Sequence, residues 1–277
     1  MMSAYSSTVQ TARSYYNSKN ADNFYFKVWG GEFIHVGIYE KPGESIAVAS
    51  QRTIEKIASF LKLNADTKVL EIGSGYGGSA RYLARTFGCN IDCLNLSEVH
   101  NDRNRAFNRE QALEHKVKVI DGNFEEMPFA DAQYDIVSSQ DALLHSGDKE
   151  SVLKEAFRVL KSGGEFIFVD LMQTENCPEG ALQPILDRIM LDSMASMKYY
   201  QTTAEKVGFE TVQVLDLTSN LVEHYRRVLE EIEANYGEML EICDQDYIDK
   251  MRVGLQHWVD GGNKGYLSWG ILQFRKP

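Results

Sequence analysis

Residues 69–78 read Val-Leu-Glu-Ile-Gly-Ser-Gly-Tyr-Gly-Gly, so four glycines stand directly behind a short apolar run. That arrangement suits a buried strand that leaves its sheet through a tight turn and enters a helix. Glycine takes positive φ without steric cost and lets the backbone approach a ligand closely. The downstream sequence repeats the unit. Apolar strand patterns are predicted at 68–72, 90–96, 116–120, 134–139 and 165–172, with helices at 78–87, 98–112 and 151–160. A further helix over 46–62 carries Ile46, Ile54, Ile57, Ala58 and Leu61 at helical spacing, and Ser162-Gly163-Gly164 signals the turn before the fifth strand. Strands alternating with helices predict an α/β fold, a parallel sheet covered on both faces. Residues 180–262 read as mostly helical, broken by a strand at 209–217, and 265–274 reads as a closing strand. One domain is expected over 1–277: a cap or lid over 1–45, a core over 46–175, and a part over 176–277 that completes the sheet.

Composition removes several classes of function. The 277 residues carry 29 lysines and arginines against 40 aspartates and glutamates, a net charge of −11. An acidic surface repels nucleic acids and anionic membranes. No apolar run approaches the ~20 residues of a membrane span. The start, MMSAYSSTVQ, has no apolar signal-peptide core, so a cytoplasmic protein is expected, monomeric or weakly self-associating. Cys89, Cys93, Cys177 and Cys243 show no metal-ligand spacing, so no metal is expected, and Cys89 and Cys93 share parity and one strand face.

The glycine turn satisfies G-x-G-x-x-G, which also marks dinucleotide sites. Here Glu71 stands two residues before the first glycine, a poor neighbour for a pyrophosphate and a good one for an ammonium group. The stretch Val69–Gly77 resembles the first motif of class I S-adenosylmethionine-dependent methyltransferases, which have a Rossmann-like fold. The resemblance implies S-adenosylmethionine as cofactor, released as S-adenosylhomocysteine. It places Glu71 on the methionyl amino group, Gly73, Ser74 and Gly75 along the methionyl part, and Asn95-Leu96 at the ribose. Asp121–Phe129 resembles the stretch that covers the adenine, with Asn123 where the family has aspartate and Phe124 where it has alanine. His100, where many relatives carry glutamine, is left unassigned. Gln140 and Asp141 end the fourth strand, at the sheet edge where such folds bind ligands.

Outside the core, FKVWGGEFIHVGIYE (26–40), SSQDALLHSGDKE (138–150) and GNKGYLSWGILQF (262–274) resemble the sarcosine/dimethylglycine N-methyltransferases that form glycine betaine, and 186–200 and 221–231 fit the same group. The resemblance implies a small amino-acid acceptor. The reaction itself asks for a deprotonated amine, aromatic faces for the cationic product, and an anchor for the carboxylate. His145, Tyr25 and Tyr39 are the candidate catalytic residues, and Trp29, His35, Asp141, Met172 and Arg188 the candidate acceptor contacts. Phe33, Tyr199, Tyr200, Tyr225 and Trp269 offer further aromatic surface, and Arg226, Arg227 and Gln140 are alternative anchors. Structural roles stand beside these: core packing for Met172, Trp258, Trp269 and the tyrosines, a solvated helix face for Arg226 and Arg227, and an ion pair with Asp187 or Asp192 for Arg188. Carbon methylation of a quinone or sterol, or silent cofactor binding, are the competing functions.

Overall fold

The computed structural model describes residues 5–29 and 31–277; residues 1–4 and Gly30, within the W-G-G-E motif, lie outside the described residues. Two N-terminal helices, α1 (Ser7–Tyr16) and α2 (Lys19–Val28), lead into α3 (Ile46–Ala58). The sheet core follows as β1 (Lys68–Ile72), α4 (Gly78–Phe87), β2 (Asn90–Asn95), α5 (Glu98–Glu110), β3 (Val117–Asp121), β4 (Tyr134–Gln140), α6 (Lys149–Val159) and β5 (Leu160–Gln173). The chain ends with α7 (Gln183–Ile189), α8 (Met197–Val207), β6 (Glu210–Asp216), α9 (Ser219–Ala234), α10 (Tyr236–Ile242), α11 (Gln245–Asn263) and β7 (Leu267–Arg275).

The seven strands lie in the order β3-β2-β1-β4-β5-β7-β6. Strands β1 to β5 pair in parallel, but β7 runs antiparallel between β5 and β6, which corrects the expectation of an all-parallel sheet. Every residue of β7 from Leu267 to Phe274 is buried, as a strand inserted inside a sheet requires. The glycines at 163–164 do not end the helix in a free turn. They are absorbed into β5, opposite a register shift between Tyr134 and Ile136. Strand order reverses between β1 and β4, which opens a crevice at the carboxyl ends of the strands.

Two apolar layers cover the sheet. One joins Val69, Ile91, Ile54, Leu83, Trp258 and Trp269, and it includes both Cys89 and Cys93, as their parity predicts. The other joins Leu70, Leu94, Phe166, Leu153 and Tyr200. The N-terminal helices, each started by a serine cap (Ser6, Ser18), close over the crevice. Arg13 pairs with Glu98, Asp22 with Arg103 at 2.6 Å, and Glu32 with Arg81 at 2.8 Å. Among the described residues no helix is long and apolar enough to cross a membrane, and no group of His, Cys, Asp and Glu could hold a metal ion.

Candidate active site

The crevice divides into two chambers that meet beneath the N-terminal segment. The first is lined by Glu71, Gly73, Ser74, Gly75, Asn95, Leu96, Asn123, Phe124 and Gln140, so every cofactor-binding residue named from the sequence borders it. Trp29, Leu171, Arg188, His224, Tyr225 and Trp258 line the second. Ala12, Tyr16, Tyr25, Ile34, His35, Asp141 and His145 border both and form the junction.

The glycine turn builds the first chamber by subtraction. Gly73 takes φ +69°, and a Cβ there would stand 2.3 Å from the Cβ of Ala142, so a side chain at this position would meet the loop after β4. Ser74 Oγ is buried with no hydrogen-bond partner and borders the chamber. Asn95 donates to Ser97 O (3.4 Å) and to Asn101 Oδ1 (3.1 Å). Asn101 fixes that orientation, because its own amide donates to Asn95 O and Asp121 Oδ1. Asn95 therefore presents only its amide oxygen to a ligand, an acceptor for a hydroxyl. Burial pushes the Glu71 carboxyl up to about 8, while Arg81, Ser79 and the Ala80 N–H pull the other way. A carboxyl so poised favours a cation beside it.

At the junction, His145 ends a short 3-10 turn, and its Nε2 lies 2.7 Å from the Tyr16 hydroxyl. Burial, with Lys149 and Arg188 nearby, pushes the imidazole down to about 4, and burial pushes the Tyr16 phenol well above its usual range. Both groups are neutral at physiological pH, so a single proton is shared between the phenol oxygen and Nε2 in this contact. His35 points Nδ1 at Val36 O (3.1 Å), which leaves Nε2 as an unpartnered acceptor. Asp141 adopts φ +49° and spends both oxygens on protein, one on Val36 N (2.7 Å) and one on Trp269 Nε1 (2.8 Å). It ties the N-terminal segment to β7 where the two chambers meet. Trp269, expected as plain core, is half of that tie.

Arg188 lines the second chamber, and among the described residues it forms no salt bridge. Neither Asp187 nor Asp192 neutralises it. Nη1 lies 3.4 Å from the thioether of Met251, and Nε is buried without a partner. Its electrostatic neighbours are the hydroxyls of Tyr25, Tyr15, Tyr225 and Tyr16. The stem passes α11 at Gly254, where a Cβ would stand 2.0 Å from Arg188 Cδ.

Two expected contacts fall elsewhere. Met172 is fully buried in the opposite core layer with Phe168 and Tyr200, because Leu171 takes the chamber-facing position of that strand. Tyr39 borders a separate surface cleft with Glu40, Asn220 and Arg226, although its hydroxyl reaches back to His224. Arg226 and Arg227 pair with Glu223, Glu230 and Glu231 on α9 and border neither chamber. Tyr199 is exposed, and Tyr200 donates to Asp170 at 2.6 Å. Tyr16, His100 and His224 were not singled out by the sequence. His100 had a signal in its place in the motif after β2 and His224 in the family-like stretch 221–231, and the unpartnered Nε2 of His100 belongs to a residue that borders the first chamber.

Comparison with known proteins decides the family. The methyltransferase-domain family matches residues 70–168. A sarcosine/dimethylglycine N-methyltransferase of Aphanothece halophytica is 53% identical over 96% of both chains. A dimethylglycine N-methyltransferase of Parasynechococcus marenigrum is 46% identical over 96% of this chain and 95% of its own. A solved structure of a presumed sarcosine dimethylglycine methyltransferase from Galdieria sulphuraria superposes with TM-score 0.90 at 42% identity, covering 95% of this chain and 98% of its own. The chain belongs to the sarcosine/dimethylglycine N-methyltransferase family.

It is accordingly an S-adenosylmethionine-dependent methyltransferase, and the first chamber fits that cofactor. The poised Glu71, the partnerless Ser74 hydroxyl and the cradle at Gly73 are what an amino-acid ammonium and carboxylate require. One consequence concerns protons. Below about pH 8 the empty enzyme holds a proton on Glu71, and an ammonium bound beside it favours the carboxylate. Binding of S-adenosylhomocysteine at pH 7 should release close to one proton, and its affinity should rise as pH climbs toward 8. Calorimetry in buffers of different ionisation heat measures this. No net proton release would refute the Glu71 contact. A second consequence is that Asn95→Ala should weaken that binding about tenfold, for one lost hydrogen bond of ~1–1.5 kcal/mol.

Proposed function

We propose that this enzyme methylates the nitrogen of sarcosine and dimethylglycine, with glycine betaine as end product. The observation that carries the proposal is Arg188, a cation without a carboxylate partner, inside an aromatic chamber that opens onto the cofactor chamber. An apolar quinone or sterol has no use for such a group, whereas a small amino acid offers the missing anion. The planar guanidinium matches two carboxylate oxygens.

S-adenosylmethionine, when bound, supplies an electrophilic methyl. The chain's own residues bring the nitrogen to it. Arg188 holds the carboxylate, and the shared walls of the two chambers leave the amine at the junction. The acceptor nitrogen attacks only as a free amine. The Tyr16 oxygen faces the amine, and the contact with His145 Nε2 holds that hydroxyl in place beside it. Tyr25, Trp29 and Tyr225 supply faces for the positive charge that develops on nitrogen, each worth roughly 0.5–2 kcal/mol. The N-terminal helices and the segment after them act as a lid, the helices held by Arg13–Glu98 and Asp22–Arg103 and the segment by Glu32–Arg81. They close water out of the junction, so alignment is not lost to solvent.

The test is product analysis. Purified enzyme is incubated with S-adenosylmethionine and, separately, glycine, sarcosine, dimethylglycine and a quinol panel. Betaine from dimethylglycine is expected; methylation confined to a quinol would overturn the proposal.

A further inference from the structure

His224 on α9 is fully buried and borders the second chamber, its ring centroid 5.7 Å from that of Trp29. Its Nδ1 lies 3.2 Å from Gly37 N and 3.0 Å from the Tyr39 hydroxyl. A backbone N–H can only donate, so Nδ1 is the acceptor. Burial pushes the imidazole down to about 3, and it stays neutral at any working pH. In a neutral ring whose Nδ1 accepts, the proton sits on Nε2. That N–H is buried and has no partner.

A buried, unpaired donor is a standing cost to the fold unless something completes it. What completes it must be an acceptor, because another cation or N–H donor would only repel it. The acceptor substrate of the preceding section has two acceptor sites, its carboxylate and the nitrogen lone pair. The lone pair is directed at the methyl being transferred, which leaves the carboxylate. Arg188 lines the same chamber and does not saturate two oxygens with their four lone-pair positions. We infer that His224 Nε2 is the second donor to the substrate carboxylate, and with Arg188 sets specificity for amino acids over plain amines. The inference rests on the amino-acid reading of the second chamber. It also gives Tyr39 and Gly37 a purpose: by occupying Nδ1 they hold the ring in the tautomer that offers a proton to the chamber.

Two isosteric variants separate this from a structural role. Asparagine places its amide oxygen where Nδ1 was, so His224→Asn keeps the Gly37 contact and deletes the chamber donor. Glutamine reaches the Nε2 position, so His224→Gln keeps the donor and deletes the Gly37 contact. Steady-state kinetics with dimethylglycine, calorimetry with S-adenosylhomocysteine and thermal melting are measured for both. The expected result is a KM raised roughly ten- to hundredfold in His224→Asn, with kcat within about threefold and melting and cofactor affinity unchanged. His224→Gln should keep a KM near that of the unaltered enzyme and melt at a lower temperature. An unmoved KM in a folded His224→Asn, or equal KM losses in both variants, would overturn the inference. Failure of the unaltered enzyme to use any amino acid would refute the reading beneath it, and the inference with it.

Discussion

His145→Ala should lower the maximal rate roughly a hundredfold, the cost of misplacing a group that positions the reacting amine, with cofactor affinity nearly unchanged. His145 borders both chambers and reaches the Tyr16 hydroxyl at 2.7 Å. The ring is neutral because burial and two nearby cations oppose its charging, so it serves as a hydrogen-bonding partner that positions Tyr16 throughout the physiological range. Removing it takes away the partner that holds the Tyr16 hydroxyl at the junction. Tyr16→Phe should cost less, about tenfold, since the imidazole remains within the junction. The order of the two effects is informative. If Tyr16 mattered only for packing, Tyr16→Phe would be close to silent in kcat while lowering stability. Single-turnover rates with dimethylglycine, beside S-adenosylhomocysteine binding and melting curves, distinguish these outcomes. A His145→Ala enzyme that turns over normally would remove the dyad from the mechanism.

The part of the site built on the parallel strands was legible because its signals are local. A glycine that must adopt φ +69° against Ala142, and a carboxylate one strand residue from the turn, are written as Gly73 and Glu71 whatever the rest of the chain does. The second chamber has no such script. Tyr16 and His224 sit on amphipathic helices where an aromatic facing a chamber has the same spacing as one facing the core. Met172 was misplaced by one step of strand parity: Leu171 and Met172 point to opposite faces of β5, and only the structure says which face the chamber occupies. Tyr39 was misplaced because the extended chain after Gly37 runs past the chamber to the surface, where the Tyr39 hydroxyl reaches His224 on its Nδ1 side. The insertion of β7 between β5 and β6 was equally invisible. An apolar run states that a strand is buried, not which neighbours bury it or in which direction it runs. Helix α5 looked merely polar, yet Asn104 and Asn108 are buried acceptors for the Arg81 guanidinium, which turns to Glu32 in the lid. Buried polar residues that satisfy one another carry no apolar period to be read.

Arg188→Ala should raise KM for dimethylglycine by one to two orders of magnitude, the ~1.5–3 kcal/mol of a lost charge-assisted hydrogen bond. The direction follows from what the arginine lacks. A guanidinium buried without a counter-ion costs the folded protein stability, and its removal relieves that cost. Arg188→Ala should therefore melt no lower than the unaltered enzyme, while binding the acceptor poorly and the cofactor normally. An arginine kept for structure behaves the other way, with stability lost and KM unmoved. Gly254 supplies an independent check, because it touches the anchor and not the acceptor. A methyl group at Gly254 would stand 2.0 Å from Arg188 Cδ, so Gly254→Ala must push the stem aside and re-aim the fork. Alanine also favours the helix by ~1 kcal/mol over glycine, which offsets part of the strain in α11. Gly254→Ala should thus reproduce part of the Arg188→Ala rise in KM with the guanidinium still present. Combining the two substitutions should add nothing to KM, since the methyl acts only through the arginine it displaces. Additive losses in the double variant would mean that Gly254 shapes the chamber by another route, and that Arg188 is not aimed by this contact.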